Sequence, residues 1–232
     1  MLVLATLVSS GVSVTAPSAG TSRLRASTDG VTTLLTLDRP VAALAAPRAG
    51  ARVVGEVPVQ THFTGAPMTL PVVETGGPGG RWLRVRLPMR PNGATGWVPA
   101  DAGSTGSTRW AIVIRREERR ADVLEGGKVQ ASFPVVVGTP STPTPLGAFF
   151  LVEKLRLAPG VVMGPWALAT SAYSYVLSEF DGGDGQVALH GTVGMSAPLG
   201  TFSSHGCVRF APAAISWIAD HVDLGAPVTV SR

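Results

Sequence analysis

One cysteine and two histidine-glycine pairs are the residues of this 232-residue chain whose types and spacing suit covalent chemistry. Cys207 lies in the run Ser204-His205-Gly206-Cys207-Val208-Arg209, and the other pair, His190-Gly191, begins seventeen positions before it. A thiol attacks as thiolate, and with a free pKa of about 8.5 it needs a partner that takes or stabilises its proton at neutral pH. Imidazole, with a pKa of about 6.5, is the side chain suited to that exchange. His205 shares a face with Cys207 if the segment is extended, whereas a turn sets the two apart. His190 is far enough away to approach from a neighbouring strand. Gly191 and Gly206 signal close backbone approach at both points.

Other readings of these residues are weaker. A lone cysteine is usually a small buried hydrophobe, but here two His-Gly pairs flank it. A zinc site from His190, His205 and Cys207 lacks the CxxC pairs or HExxH helix that normally scaffold one, so no metal is expected. His62 and His221 read as surface histidines. With one cysteine the chain forms no intramolecular disulfide.

The elements that position these residues are mostly strands. There are 28 glycines and 19 prolines, about a fifth of the chain, and this density of turn formers excludes a helical bundle. Hydrophobic residues make up 45%, which argues for a folded core, and charged residues only 15%. The net charge of +4 is too small, and its arginines too interleaved with glutamates at 115–120, to indicate nucleic-acid binding. Trp110-Ala-Ile-Val-Ile-Arg115 alternates as a strand, two more flank Gly126-Gly127, Gly147-Ala-Phe-Phe-Leu-Val-Glu-Lys154 is another, and Gln186–His190 ends at the histidine. Ile215, Ile218 and Val222 recur at helical spacing, with Gly225 as a stop.

Upstream, Trp82, Arg84 and Arg86 alternate with Leu83, Val85 and Leu87, Asn92-Gly93 marks a turn, and Gly96-Trp97-Val98 resumes as a strand. This hairpin resembles the closing hairpin of bacterial SH3-like domains. Residues 41–100 are therefore expected as a small SH3-like β-barrel, and 101–108, Asp-Ala-Gly-Ser-Thr-Gly-Ser-Thr, as a linker beyond which a chain starting near Ser107 folds alone. Residues 1–40 read as a signal-like segment and a disordered lead-in. The apolar run Leu2–Val14 is too short to span a bilayer and has the length of a signal-peptide core, although no Lys or Arg precedes it.

Residues 109–232 resemble the catalytic domain of the YkuD-like L,D-transpeptidase family. The resemblance rests on His190-Gly191, on Ser204-His205-Gly206-Cys207-Val208, and on Pro143-Thr-Pro-Leu-Gly-Ala-Phe149, in the family's order and spacing. It implies a mostly β sandwich or barrel with few short helices. It implies Cys207 as nucleophile and His190 as general base, with the Gly191 carbonyl fixing the tautomer. Backbone N–H groups of His205, Gly206 and Cys207 become oxyanion donors in a loop with Ser204, and His205 orders that loop. Arg209 is expected to hold a substrate carboxylate or brace the loop, and Trp166 and Tyr173 are candidates to line a substrate groove, with core or lid packing as the alternative. The implied substrates are peptidoglycan stem peptides, cross-linked through their third residues at the cell wall outside the cytoplasmic membrane. Carbapenem-type inhibitors are implied as acylating agents, and neither a cofactor nor a stable transmembrane anchor is. Hydrolysis of the same thioester, giving an L,D-carboxypeptidase, and a non-catalytic wall-binding protein are the alternatives.

Overall fold

The computed structural model describes residues 30–179, 182–193 and 198–232. The signal-like run at 2–14 lies outside them, as does the lead-in up to residue 29. Among the described residues no helix is long and apolar enough to cross a membrane.

The first seven strands are β1 (Thr32–Leu37), β2 (Val41–Leu44), β3 (Val53–Val57), β4 (Thr69–Gly76), β5 (Trp82–Arg86), β6 (Thr95–Pro99) and β7 (Gly103–Thr108). They form one sheet in the order β3-β2-β6-β5-β4-β1-β7. Two expectations are corrected here. Part of the assumed lead-in is strand β1, whose Leu35 and Leu37 are buried in the core of this sheet. The assumed linker is strand β7, paired residue for residue with β1 from Thr32↔Thr108 to Leu37↔Gly103. Small polar residues in 101–108 hid this, because an exposed edge strand needs backbone pairing and no apolar alternation. Arg86, on the strand face of Trp82 and Arg84, is buried and donates to the Ala148 carbonyl at 3.1 Å.

The remaining strands are β8 (Trp110–Arg115), β9 (Arg120–Glu125), β10 (Lys128–Pro134), β11 (Val137–Gly138), β12 (Gly147–Arg156), β13 (Trp166–Tyr173), β14 (Gln186–His190), β15 (Phe202–Ser204), β16 (Val208–Arg209) and β17 (Pro227–Ser231), with helix α1 (Pro212–His221) before the last. Eight of them form a sheet in the order β10-β9-β8-β17-β12-β13-β14-β16, and β11 pairs with β15. The fold is thus mostly β. Pro212 starts α1, where its missing N–H costs nothing, and the helix turns Ile215 and Ile218 into a core with Ile112, Phe149, Leu168 and Leu189.

Strand β12 belongs to two cores at once. Phe149 and Leu151 pack in the core beneath α1, while Phe150 and Val152 pack among Leu35, Leu70 and Val85 of the first sheet. Alternation sends successive side chains to opposite faces, and here both faces are covered. A register shift against β13 between Leu151 and Glu153 re-aims Glu153 toward the first sheet's loops. There its carboxylate, 2% exposed, accepts the Thr61 hydroxyl at 2.7 Å, the Phe63 N–H at 3.0 Å, and the Thr64 N–H and hydroxyl.

Candidate active site

The parallel pair β14 and β16 brings the two sequence-distant motifs together, with Leu189 opposite Val208 and His190 opposite Arg209. One step back along that register, the Ala188 N–H donates to the Cys207 sulfur at 3.5 Å. Residues 188 and 190 share one strand face, as do 207 and 209, so Cys207 and His190 are diagonal neighbours and Arg209 stands against the imidazole.

His190 is 3% exposed, and its Nδ1 lies 2.7 Å from the Gly191 carbonyl oxygen. A carbonyl only accepts, so Nδ1 carries the proton and Nε2 presents its lone pair. Burial pushes the imidazole below its ordinary value, and the Arg209 cation adds to that, against the opposing effect of the Gly191 hydrogen bond. The Cys207 thiol is pushed up by burial, opposed by the Ala188 N–H and by Arg209. Burial thus disfavours the charged form of both groups.

Gly191 has a steric reason for its identity. A Cβ there would fall 1.8 Å from the Gly164 carbonyl oxygen. Its N–H is shared between the carbonyls of Met163 at 3.0 Å and Trp166 at 3.2 Å, which ties the histidine's acceptor to the loop before β13.

The loop bearing the thiol is stitched from within and from beneath. The Ser204 hydroxyl accepts the Gly206 N–H at 3.1 Å and donates to the Cys207 carbonyl at 2.5 Å. Gly206 adopts φ +125°, which favours glycine. Its amide donates to Ser204 and so helps to hold the loop. Beneath, the fully buried Thr144 accepts the Gly138 N–H and donates to the Gly206 carbonyl, both at 2.9 Å. The Ser204 carbonyl accepts the Thr139 N–H at 3.0 Å and the Thr142 hydroxyl at 3.3 Å. Thr142 and Thr144 were not singled out from sequence, although each precedes a proline and Thr144 lies inside a recognised motif; the signal was a polar side chain in a segment with few free N–H groups.

The remaining candidates divide. Arg209 is anchored through its backbone to Val136, with both N–H···O distances 2.9 Å, and its Nε is buried with no hydrogen-bond partner among the described residues. Trp166 lies one residue before Ala167, the register partner of His190, and is half-buried. His205 is exposed on the loop. Tyr173 is buried, its hydroxyl donates to the Pro88 carbonyl at 3.1 Å, and Asn92 brackets its backbone N–H and C=O at 2.8 and 2.7 Å. It joins the two sheets, as the packing alternative has it. His62 and His221 are exposed, the latter stacked on Trp217 at 4.3 Å between ring centroids. Among the described residues no group of three or more His, Cys, Asp or Glu side chains is placed to hold a metal ion.

Residues 109–230 match the family model described as the L,D-transpeptidase catalytic domain. The chain is 32% identical over 117 residues to L,D-transpeptidase 1 of Mycobacterium tuberculosis, covering 47% of this chain and 45% of that protein. It is 30% identical over 105 residues to the Bacillus subtilis protein YkuD, covering 45% of this chain and 56% of that one. It thus spans about half the length of the curated relatives it matches. A solved L,D-transpeptidase from Mycobacterium smegmatis aligns over 85% of this chain and 99% of its own at 18% identity, with a TM-score of 0.46.

Proposed function

The chain belongs to the L,D-transpeptidase catalytic-domain family, and from that membership we propose that it is a cysteine acyltransferase of peptidoglycan stem peptides. The observation that carries the reading is the β14–β16 register, which sets a thiol diagonal to an imidazole whose Nδ1 proton is fixed on a carbonyl.

In this reading His190 Nε2 takes the Cys207 proton as the sulfur attacks the carbonyl of the third stem residue. The carbon–sulfur bond forms, the bond to the terminal D-alanine breaks, and the imidazolium returns its proton to the leaving amine. A side-chain amine of a second stem then attacks the thioester and gives up a proton through His190; the amide cross-link forms and the thiol is regenerated. The amides of His205 and Cys207 serve the oxyanion. Arg209 holds a substrate carboxylate, for which its buried, unpartnered Nε supplies a reason, and Trp166 lines the groove. The nucleophile, base and oxyanion donors all belong to the chain.

The substrate is assembled outside the cytoplasmic membrane, and the enzyme is placed there, at the wall. Carbapenems are proposed as acylating agents of Cys207. The paired strands β5 and β6 support an SH3-like reading of the first sheet, which β1 and β7 extend beyond 41–100. Incubation with tetrapeptide-bearing muropeptides, read by mass, tests the function. Cross-linked dimers are expected; tripeptides in their place mean that water resolves the thioester, and unchanged substrate overturns the reading.

A further inference from the structure

Arg90, in the turn between β5 and β6 of the first sheet, reaches across to the second sheet and holds both described ends of the connection between β13 and β14. Its Nη1 donates to the Ser174 carbonyl at 2.8 Å, and its Nη2 donates to the carbonyls of Asp184 at 2.8 Å and Leu177 at 3.3 Å. The guanidinium carbon lies over the Tyr173 ring, 4.8 Å from its centroid. A planar fork holds several carbonyls in fixed directions, which a single ammonium does not.

The two ends are close because the sequence permits it. The Ser174 N–H donates to the Gly185 carbonyl at 2.8 Å, and the Ser174 hydroxyl accepts the N–H groups of Val176 and Leu177 at 3.2 and 3.0 Å. Gly185 has φ +76°, and a Cβ there would fall 2.2 Å from the Leu177 carbonyl oxygen and 3.1 Å from Arg90 Nη2. A side chain at 185 would therefore take the space the guanidinium uses.

The chain that leaves this anchor runs straight to the thiol. Asp184 accepts the Gln186 N–H through Oδ1 at 3.3 Å, Gln186 opens β14, and Ala188, on the same strand face, gives its N–H to the Cys207 sulfur. Its neighbours hold this stretch thinly. On one side the ladder breaks between Ala169↔Ala188 and Tyr173↔Gln186, where Thr170, Ser171 and Ala172 stand opposite Val187 alone; on the other, β16 pairs only from Leu189 onward. Two side chains fill the break: the Thr170 hydroxyl donates to the Val187 carbonyl at 2.6 Å, and Gln186 Nε2 donates to the Thr170 carbonyl at 2.8 Å. Where pairing is interrupted, the placement of the first residues of β14 depends on what anchors the chain before them.

We propose that Arg90 is a positioning residue for the thiol–imidazole pair: by tying down the connection that enters β14, it sets the Ala188 N–H against the Cys207 sulfur and the approach of His190. Its consequence for catalysis rests on the proposed function. The first sheet thereby shapes the site through the backbone, without touching the substrate.

The test follows hydrogen exchange of assigned backbone amides in the full chain, together with carbapenem acylation of Cys207. Arg90→Met keeps an apolar stem over Tyr173 and removes the donors. The Ala188 amide is then expected to exchange about tenfold faster or more while Ile114 and Val123 keep their rates, and acylation is expected to slow by a similar factor. Arg86→Met removes a different guanidinium contact between the sheets and should leave both readouts as in the parent. Arg90→Lys keeps the charge without the fork and should recover only part; it serves by itself if Arg90→Met does not fold. Unchanged exchange at Ala188, equal acceleration at Ala188 and Ile114, acylation as fast as in the parent, equal losses in Arg86→Met, or full recovery by lysine overturns the proposal. Should the parent resist acylation, the functional reading fails, and exchange at Ala188 still decides whether Arg90 positions β14.

Discussion

His190 and Arg209 face each other across two parallel strands, so a fixed cation stands opposite the imidazole. It discourages protonation of the base and favours loss of the thiol's proton, the two changes that proton transfer from Cys207 to His190 has to balance. Burial, the larger influence on each group, acts in the same direction on the histidine and in the opposite direction on the cysteine.

Acylation by a carbapenem is therefore expected to keep its rate down to a pH below the ordinary histidine value of about 6.5 before falling on the acid side. Arg209→Gln removes the cation, so the imidazole becomes easier to protonate and that acid limb moves to higher pH. Second-order acylation rates across pH 4–8 check the direction of the shift; an unmoved or lowered limb contradicts it.

Intact-mass analysis is expected to show one carbapenem adduct on the parent protein and none on Cys207→Ala. His190→Ala should slow acylation by roughly 10² or more, the loss of a general base. His205→Ala, at an exposed loop position, is expected to do less. A larger effect at 205 than at 190, with both proteins folded, reverses the roles.

Thr144→Val keeps shape while removing the hydroxyl between the Gly138 N–H and the Gly206 carbonyl. Leaving both groups buried and unpaired is expected to cost about 2 kcal/mol or more and to slow acylation as the Cys207 loop loosens. Thr144→Ser retains the bridge and should recover most of both, as denaturant unfolding and acylation kinetics would reveal.

Glu153 gives a pH dependence of stability. Burial alone raises a carboxyl, but the Thr64 and Thr61 hydroxyls and the backbone N–H groups of Thr64 and Phe63 outweigh it together and hold the group below the usual glutamate range. A carboxyl depressed in the folded state stabilises above its unfolded pKa of about 4.3 and loses that contribution as pH falls through the folded value. Melting temperatures of the parent should drop below about pH 4 more steeply than those of Glu153→Gln. At pH 7 the variant is expected to be less stable by about 1–3 kcal/mol.

A fragment beginning near Ser107 strips β1 to β6 and most of β7 from the chain. Phe150 and Val152 of β12 then lose their cover, and Arg86 no longer reaches the Ala148 carbonyl. Aggregation is expected, in contrast to what the composition of 101–108 implies; a monomeric, acylable fragment in gel filtration would refute this.

What the chain's linear order conveyed and what it concealed have separate physical causes. Alternation marked β8, β12 and β14, and the spacing of Ile215, Ile218 and Val222 marked α1, because periodicity follows directly from which face is buried. Cys207 and His190 stood out as candidates because residue type carries their chemistry, and the β14–β16 pairing that brings their motifs together became visible only in the fold. Strand β7 was concealed since backbone pairing leaves no trace in Ser and Gly. Tyr173 stayed open between two readings because an aromatic residue near a motif looks the same whether it meets a substrate or Pro88. The bulge that turns Glu153 around is a register event, visible only once β12 and β13 are paired.

The elevated thiol of Cys207 also bears on durability. Oxidants and simple alkylating agents react with thiolate, so burial that raises the thiol makes it a slower target for them. This matters more here than in most proteins, because the chain has a single cysteine and a sulfenic acid formed at 207 would find no second thiol in the molecule with which to condense. Its further oxidation would be irreversible, ending the life of the molecule. The burial that raises the Cys207 thiol thus also slows the loss of a sulfur the chain cannot replace.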